Sequence, residues 1–127
     1  MSKKPFVTKE KLDEIAAQYA TPFYLYDEAA IRETARRVNK AFAWNQGFKE
    51  YFAVKATPNP AILKILHEEG CGADCSSYTE LLMADAVGFK GDEIMFSSNA
   101  TPAEDFQLAR QLNVTINLDD ITHIDFL

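Results

Sequence analysis

Lys55 is the residue whose placement most invites chemistry: its amine follows directly on four apolar residues, Tyr51-Phe52-Ala53-Val54. On a strand that is apolar on both faces, an ammonium is costly to desolvate unless it is neutral, paired or covalently engaged. A neutral lysine is a nucleophile toward aldehydes, which is what the Schiff-base lysine of a pyridoxal 5'-phosphate enzyme must be. The same placement also fits a strand that ends at Val54 with Lys55 reaching water, and residue type alone leaves both readings open. Asp74 is a candidate charge partner for that amine, or a cap for the turn into Ser76 and Ser77. Ser97-Ser98-Asn99 and then Asn117 with Asp119 stand at the ends of two further apolar runs. Glu80 fits a capping box, His67 reads as a solvent-facing residue in mid-helix, and His123 falls in a terminal helix. Neither histidine has a Ser or Cys placed to make a nucleophile and base pair. Cys71 and Cys75 are not spaced as C-x-x-C, so the expectation is no metal site but two reduced thiols in or near a core, as in a reducing compartment. The phosphate-cradling patterns G-x-G-x-x-G and G-x-x-x-x-G-K-S/T are both lacking.

The elements that must hold these residues follow a repeated rhythm of polar cap, helix-period segment, Gly or Asn stop, and short β-type run. Asp27 caps a helix with Ile31, Ala35, Val38 and Phe42 on one face, and a buried strand follows at 51–54. Asn59-Pro60 opens a helix that Gly70 stops, ahead of a strand at 72–75. Ser77-Tyr78-Thr79-Glu80 has capping-box form and opens a helix ending near Gly88, followed by a strand at 94–96. Thr101-Pro102-Ala103-Glu104 predicts a second capping box with proline at the first helical position. Asn113 then turns the chain into a strand at 114–118, and Asp119 or Asp120 caps another helix. Four β-then-α units in a row argue for a parallel sheet, open and doubly wound or part of a (β/α) barrel. A helix at 8–19 and an alternating lead-in strand at 22–26 precede the repeat and lie outside it.

The chain has 127 residues, 47% hydrophobic and 25% charged, the composition of a globular domain. With 13 Lys+Arg against 19 Asp+Glu the net charge is −6, and the bases are scattered, so neither nucleic acid nor an anionic membrane is an expected partner. No apolar run approaches the ~20 residues that span a bilayer, and residues 1–11 lack a signal peptide's apolar core. The expected location is the cytoplasm.

The segment Tyr51-Phe52-Ala53-Val54-Lys55-Ala56-Thr57-Pro58-Asn59-Pro60-Ala61-Ile62-Leu63-Lys64 resembles the lysine motif of the diaminopimelate decarboxylase family, the fold-type III pyridoxal-phosphate decarboxylases. Thr21-Pro22-Phe23-Tyr24-Leu25-Tyr26-Asp27 is similar to that family's N-terminal lead-in. Gly72-Ala73-Asp74-Cys75-Ser76-Ser77 through Glu80-Leu81 is similar to its G-x-D-x-x-S-x-x-E-L motif, and Ile116-Asn117-Leu118-Asp119 to its fourth-strand motif. Ser97-Ser98-Asn99 departs from the His-Gly-Asn that relatives often carry, and Ser76-Ser77-Tyr78 from a more glycine-rich version.

The resemblance implies an α/β chain forming the N-terminal part of an alanine-racemase-like (β/α)8 TIM barrel, with about four βα units after a helix and lead-in strand. Residues 1–26 would pack with a further β domain, and residues 27–127 would form a partial cofactor-binding barrel. It implies pyridoxal 5'-phosphate as cofactor, Lys55 as the lysine that holds it, and Asp74 as a carboxylate near that lysine. The implied activity is decarboxylation of meso-2,6-diaminopimelate to L-lysine, by a homodimer when full length, with this portion inactive alone. The alternatives are decarboxylation of ornithine, lysine, arginine or carboxynorspermidine, and a noncatalytic cofactor-binding barrel. A complete barrel needs ~250 residues and usually grips phosphate after its seventh and eighth strands. The phosphate, ring-nitrogen and substrate contacts are therefore expected beyond Leu127.

Overall fold

The computed structural model describes residues 4–127; residues 1–3 of the N-terminal segment lie outside the described residues. Two helices come first, α1 (Lys9–Gln18) and α2 (Glu28–Ala41). Each begins where a short polar side chain relieves an unpaired N–H: Thr8 Oγ1 accepts from Lys11 N, and Asp27 Oδ1 accepts from Ala30 N at 3.0 Å. Between them residues 20–27 form no strand ladder among the described residues, so the alternating segment at 22–26 has no neighbour here to pair with.

The repeat then unfolds in order as β1 (Tyr51–Ala53), α3 (Pro60–Glu68), β2 (Gly72–Cys75), α4 (Tyr78–Val87), β3 (Ile94–Ser98), α5 (Ala103–Gln111) and β4 (Thr115–Leu118). Asn59 caps α3 through Ala61 N with Pro60 behind it, and Ser77 Oγ caps α4 through Glu80 N. Gly88 ends α4 at φ +118, a left-handed conformation that a Cβ would strain. The four strands are parallel in the order β1-β2-β3-β4.

Register divides the sheet's side chains between two faces. Phe52, Ala73, Ile94, Cys75 and Phe96 turn toward the helices and join Leu63, Leu81, Phe89, Phe106 and Ala109 in one core. Tyr51, Ala53, Gly72, Asp74, Met95, Ser97, Thr115 and Asn117 occupy the opposite face. Gly72 is required there by close approach: a Cβ would stand 2.6 Å from the Tyr51 ring and 2.7 Å from the Glu93 carbonyl oxygen.

Helix α2 is held against α3 by charge. Glu69, whose side chain is only 9% exposed, takes Arg36 in a two-pronged pair at 2.7 Å and Arg32 Nη1 at 3.0 Å, while Asn39 Nδ2 donates to the Glu69 carbonyl oxygen at 2.9 Å. Arg36 first, then Arg32, holds the Glu69 carboxyl below the usual carboxylate range. Beneath α2, beside the unpaired edge of β1, lies an apolar groove of about 500 Å3 lined by Ile31, Val38, Phe52, Ile62, Leu66 and Cys71 among others.

Several local expectations are revised. The capping box at 101–104 does not form: Thr101 Oγ1 donates to the Ser98 carbonyl oxygen at 3.2 Å, and α5 starts at Ala103 with Pro102 as an N-cap that offers no side-chain acceptor. His67 is not solvent-facing; its ring lies on Phe89 at 4.2 Å and its Nε2 meets Glu93 Oε2 at 3.3 Å, because Phe89 returns from α4 directly beneath it. The terminal helix is a 3-10 helix, Ile121–Phe126, capped by Asp120 through Thr122 N.

Candidate functional site

All four strands run the same way, so their C-terminal ends open on one rim, the place where parallel α/β folds gather reactive side chains. A cleft of about 220 Å3 lies on that rim, lined by Lys55, Ser76, Ser97, Ser98, Asn99, Asn117 and Asp119. Lys55 arrives there by a route that differs from the expected one. The strand stops at Ala53, and Val54–Ala56 forms a 3-10 turn whose Val54 is fully buried while Lys55 is exposed. The turn lets Val54 anchor in the core as Lys55 swings onto the rim, and it packs against β2. Among the described residues Lys55 is the sole cation lining the cleft, and its amine forms no ion pair.

Asp74 sits one strand over. It pairs in register with Ala53, two residues before Lys55, and its Oδ1 accepts a 2.5 Å hydrogen bond from Ser97 Oγ on β3. Ser97 lines the cleft; Asp74 lies just behind it on the same face of the sheet. Ser76 continues that face past the end of β2, since Cys75 before it points into the core. Its backbone N–H donates to Glu80 Oε2 at 2.8 Å, and its Oγ is buried without a hydrogen-bond partner. Glu80 therefore works as a helix-start acceptor, as expected, with its carboxylate turned to Ser76 rather than to the cap residue. The start of α4 is also tied to α5, because Asp105, 7% exposed, accepts from Tyr78 N at 3.2 Å.

These residues fit the aldehyde end of a pyridoxal group. Lys55 supplies a free amine, and Ser76, Ser97, Ser98, Asn99 and Asn117 surround it with hydroxyl and amide groups, one of them the unpartnered Ser76 Oγ. Among the described residues no second cation lines the cleft. Cys75, behind Asp74, is no competitor for an aldehyde: burial first, then the carboxylates of Glu80 and Asp74, push its thiol up to about 12. Among the described residues no three His, Cys, Asp or Glu side chains gather as metal ligands, and no helix is long and apolar enough to cross a membrane.

Residues 28–127 match the family model for the pyridoxal-dependent decarboxylases, pyridoxal binding domain. The chain belongs to this family. Protein TabA of Pseudomonas amygdali pv. tabaci is 50% identical over 109 residues, which cover 86% of this chain and 26% of that protein. The diaminopimelate decarboxylase of Methanothermobacter thermautotrophicus is 39% identical over 107 residues, 84% of this chain and 25% of that one. Among solved structures, diaminopimelate decarboxylase from M. jannaschi superposes with a TM-score of 0.83 at 30% identity, over 89% of this chain and 27% of that one. The chain thus spans about a quarter of the length of the curated relatives it matches. Its four parallel βα units are the N-terminal portion of the fold-type III decarboxylase barrel.

Sequence reasoning placed Lys55 and Asp74 at neighbouring strand ends, and the fold brings the turn after β1 and the adjacent β2 to one rim. It missed the partnership of Asp74 with Ser97 and the orphan hydroxyl of Ser76. The available signal was strand alternation: Asp74 and Ser76 are two apart, and Phe96 in the core puts Ser97 on their face.

Proposed function

We propose that the polypeptide carrying this sequence is a pyridoxal 5'-phosphate-dependent carboxy-lyase that converts meso-2,6-diaminopimelate to L-lysine and carbon dioxide. Lys55 holds the cofactor, and Asp74 is the carboxylate beside it. The observation that carries this reading is Lys55 itself, an unpaired amine set by a 3-10 turn among hydroxyls and amides on the rim of a sheet of the pyridoxal-binding family. When bound, the cofactor supplies an aldehyde that condenses with amines and a ring that takes up the electron pair left when carbon dioxide departs. Lys55 Nζ would be the group that holds the cofactor, at its aldehyde end. Lys55 would give up that place to a substrate amine and would be the group that releases product. Ser97, donating to Asp74 Oδ1, would keep that carboxylate in place near Lys55.

The substrate rests on the named decarboxylase relatives, since the relative of higher identity bears a name that states no substrate. In this reading residues 27–127 are part of a barrel whose further strands fill the groove beside β1, and residues 1–26 pack on another β domain. Two buried, unpaired thiols support a reducing, cytoplasmic setting, and the family resemblance supports a homodimer. Borohydride reduction after incubation with pyridoxal phosphate, followed by peptide mapping, tests the assignment. The expected label is on Lys55, and a label elsewhere or none refutes it. Carbon dioxide release from meso-diaminopimelate exceeding that from L-ornithine supports the substrate, and the reverse order refutes it.

A further inference from the structure

The face of the sheet that carries the cleft holds few charges. Lys55 and Asp119 line the cleft, Asp74 lies behind Ser97, and Glu80 is committed to the Ser76 N–H. Asp74 is the carboxylate nearest in register to the turn bearing Lys55. Without a partner, an aspartate at a strand end samples several χ1 and χ2 settings, and each presents its charge differently. Here one oxygen is taken. The Ser97 hydroxyl donates to Oδ1 across the β2–β3 ladder at 2.5 Å, a short bond of the charge-assisted kind, and Oδ2 accepts no hydrogen bond among the described residues. Ser97 is itself fixed, because Phe96 before it is fully buried and Ser97 pairs in register with Asn117.

We propose that Ser97 is a positioning residue for the cofactor-holding lysine: by clamping Oδ1 of Asp74 it leaves Oδ2 as the oxygen offered to a cationic nitrogen at Lys55. This rests on the reading of Lys55 given above. The clamp acts through Asp74 alone, so its value vanishes when Asp74 carries no charge. It also needs a hydroxyl, not a particular side-chain size.

The experiment uses the full-length polypeptide with Ser97→Ala, Ser97→Thr, Asp74→Asn and the Ser97→Ala/Asp74→Asn pair. Affinity for pyridoxal phosphate is read by absorbance titration at fixed pH, fold by circular dichroism melting, and the site of attachment by borohydride trapping. Ser97→Ala is expected to weaken binding about tenfold, the scale of one hydrogen bond to a charged group. Ser97→Thr recovers most of that loss, and Ser97→Ala adds nothing in the Asp74→Asn background. A Ser97→Ala protein that binds as tightly as the parent overturns the proposal. So does a threonine variant as weak as the alanine one, or a Ser97→Ala loss that persists undiminished in the Asp74→Asn background. Should Ser97→Ala fail to fold, Ser97→Cys, nearly isosteric and a weak donor, is judged by the same outcomes. Trapping at Lys55 with no effect at Ser97 sinks this proposal while the cofactor-lysine assignment stands; no trapping at Lys55 in the parent sinks both.

Discussion

Replacing Gly72 by alanine tests the register on which the site depends. The added methyl carbon would lie 2.6 and 2.7 Å from two carbons of the Tyr51 ring and 2.7 Å from the backbone oxygen of Glu93. Ordinary contact at a methyl begins near ~3.5 Å, so each overlap approaches ~1 Å, well into the repulsive wall. The Tyr51 ring cannot swing aside freely, since its hydroxyl donates to the Asp92 carbonyl oxygen at 2.6 Å, and the Glu93 oxygen belongs to the chain entering β3. Overpacking of this kind costs typically 1–3 kcal/mol, and two obstructed directions place Gly72→Ala near the upper end, about 3 kcal/mol. With a urea slope of about 2 kcal/mol per M, the unfolding midpoint falls by about 1.5 M. The assay is urea titration followed by circular dichroism, with Tyr51→Ala as a second background. There Gly72→Ala costs less, but not nothing, because the Glu93 oxygen remains. A midpoint within about 0.2 M of the parent, roughly 0.4 kcal/mol on that slope, would show that β1 and β2 do not approach as described.

Further outcomes follow from other contacts. Glu69→Gln removes the charge between Arg36 and Arg32; because those partners depress the Glu69 carboxyl, its stabilising share is complete above the unfolded carboxylate pKa and disappears as pH falls through the lower folded value. The melting temperature of the parent therefore drops more steeply in acid than that of the variant, and parallel curves would refute the argument. Cys75, with its thiol pushed up to about 12 by burial, stays protonated while an unfolded cysteine ionises near 9, so it costs stability as pH rises through that window. In native protein it should resist thiol reagents that modify it at once in denaturant, and rapid native labelling counts against the burial. Ser77→Ala, which strips the cap from α4, is expected to lower stability by about 1 kcal/mol in the same urea assay, with no change expected if Ser77 Oγ were idle.

What the sequence made legible was local. Asp27, Asn59 and Ser77 cap the helices that their side chains predict, and Gly88 and Asn113 take the left-handed turns, because each outcome is decided within four residues. Lys55 and Asp74 were legible for a related reason: strand ends are readable, and parallel strands send them to one rim. Relations set by the register between strands stayed out of reach. Nothing near Ser97 says that Asp74 stands diagonally across from it, and nothing near Gly72 says that a tyrosine ring fills its missing side chain. His67 failed similarly, since its acidic neighbours Glu68 and Glu69 suggested water while Phe89, far along the chain, supplied its surroundings. At Thr101 two local rules competed, and the carbonyl of Ser98 won the hydroxyl from the helix.

The strand order β1-β2-β3-β4 also sets a timetable for assembly. Each ladder joins residues about 20 apart in the chain, so each step closes a loop of similar, modest entropic cost. During synthesis such a topology lets each new strand pair with the one already made. The turn bearing Lys55 lies at the head of that series. Pulse-labelled hydrogen exchange during refolding should accordingly protect Phe52 and Ala73 amides no later than those of β4, so that the turn bearing Lys55 rests on early-ordered strands.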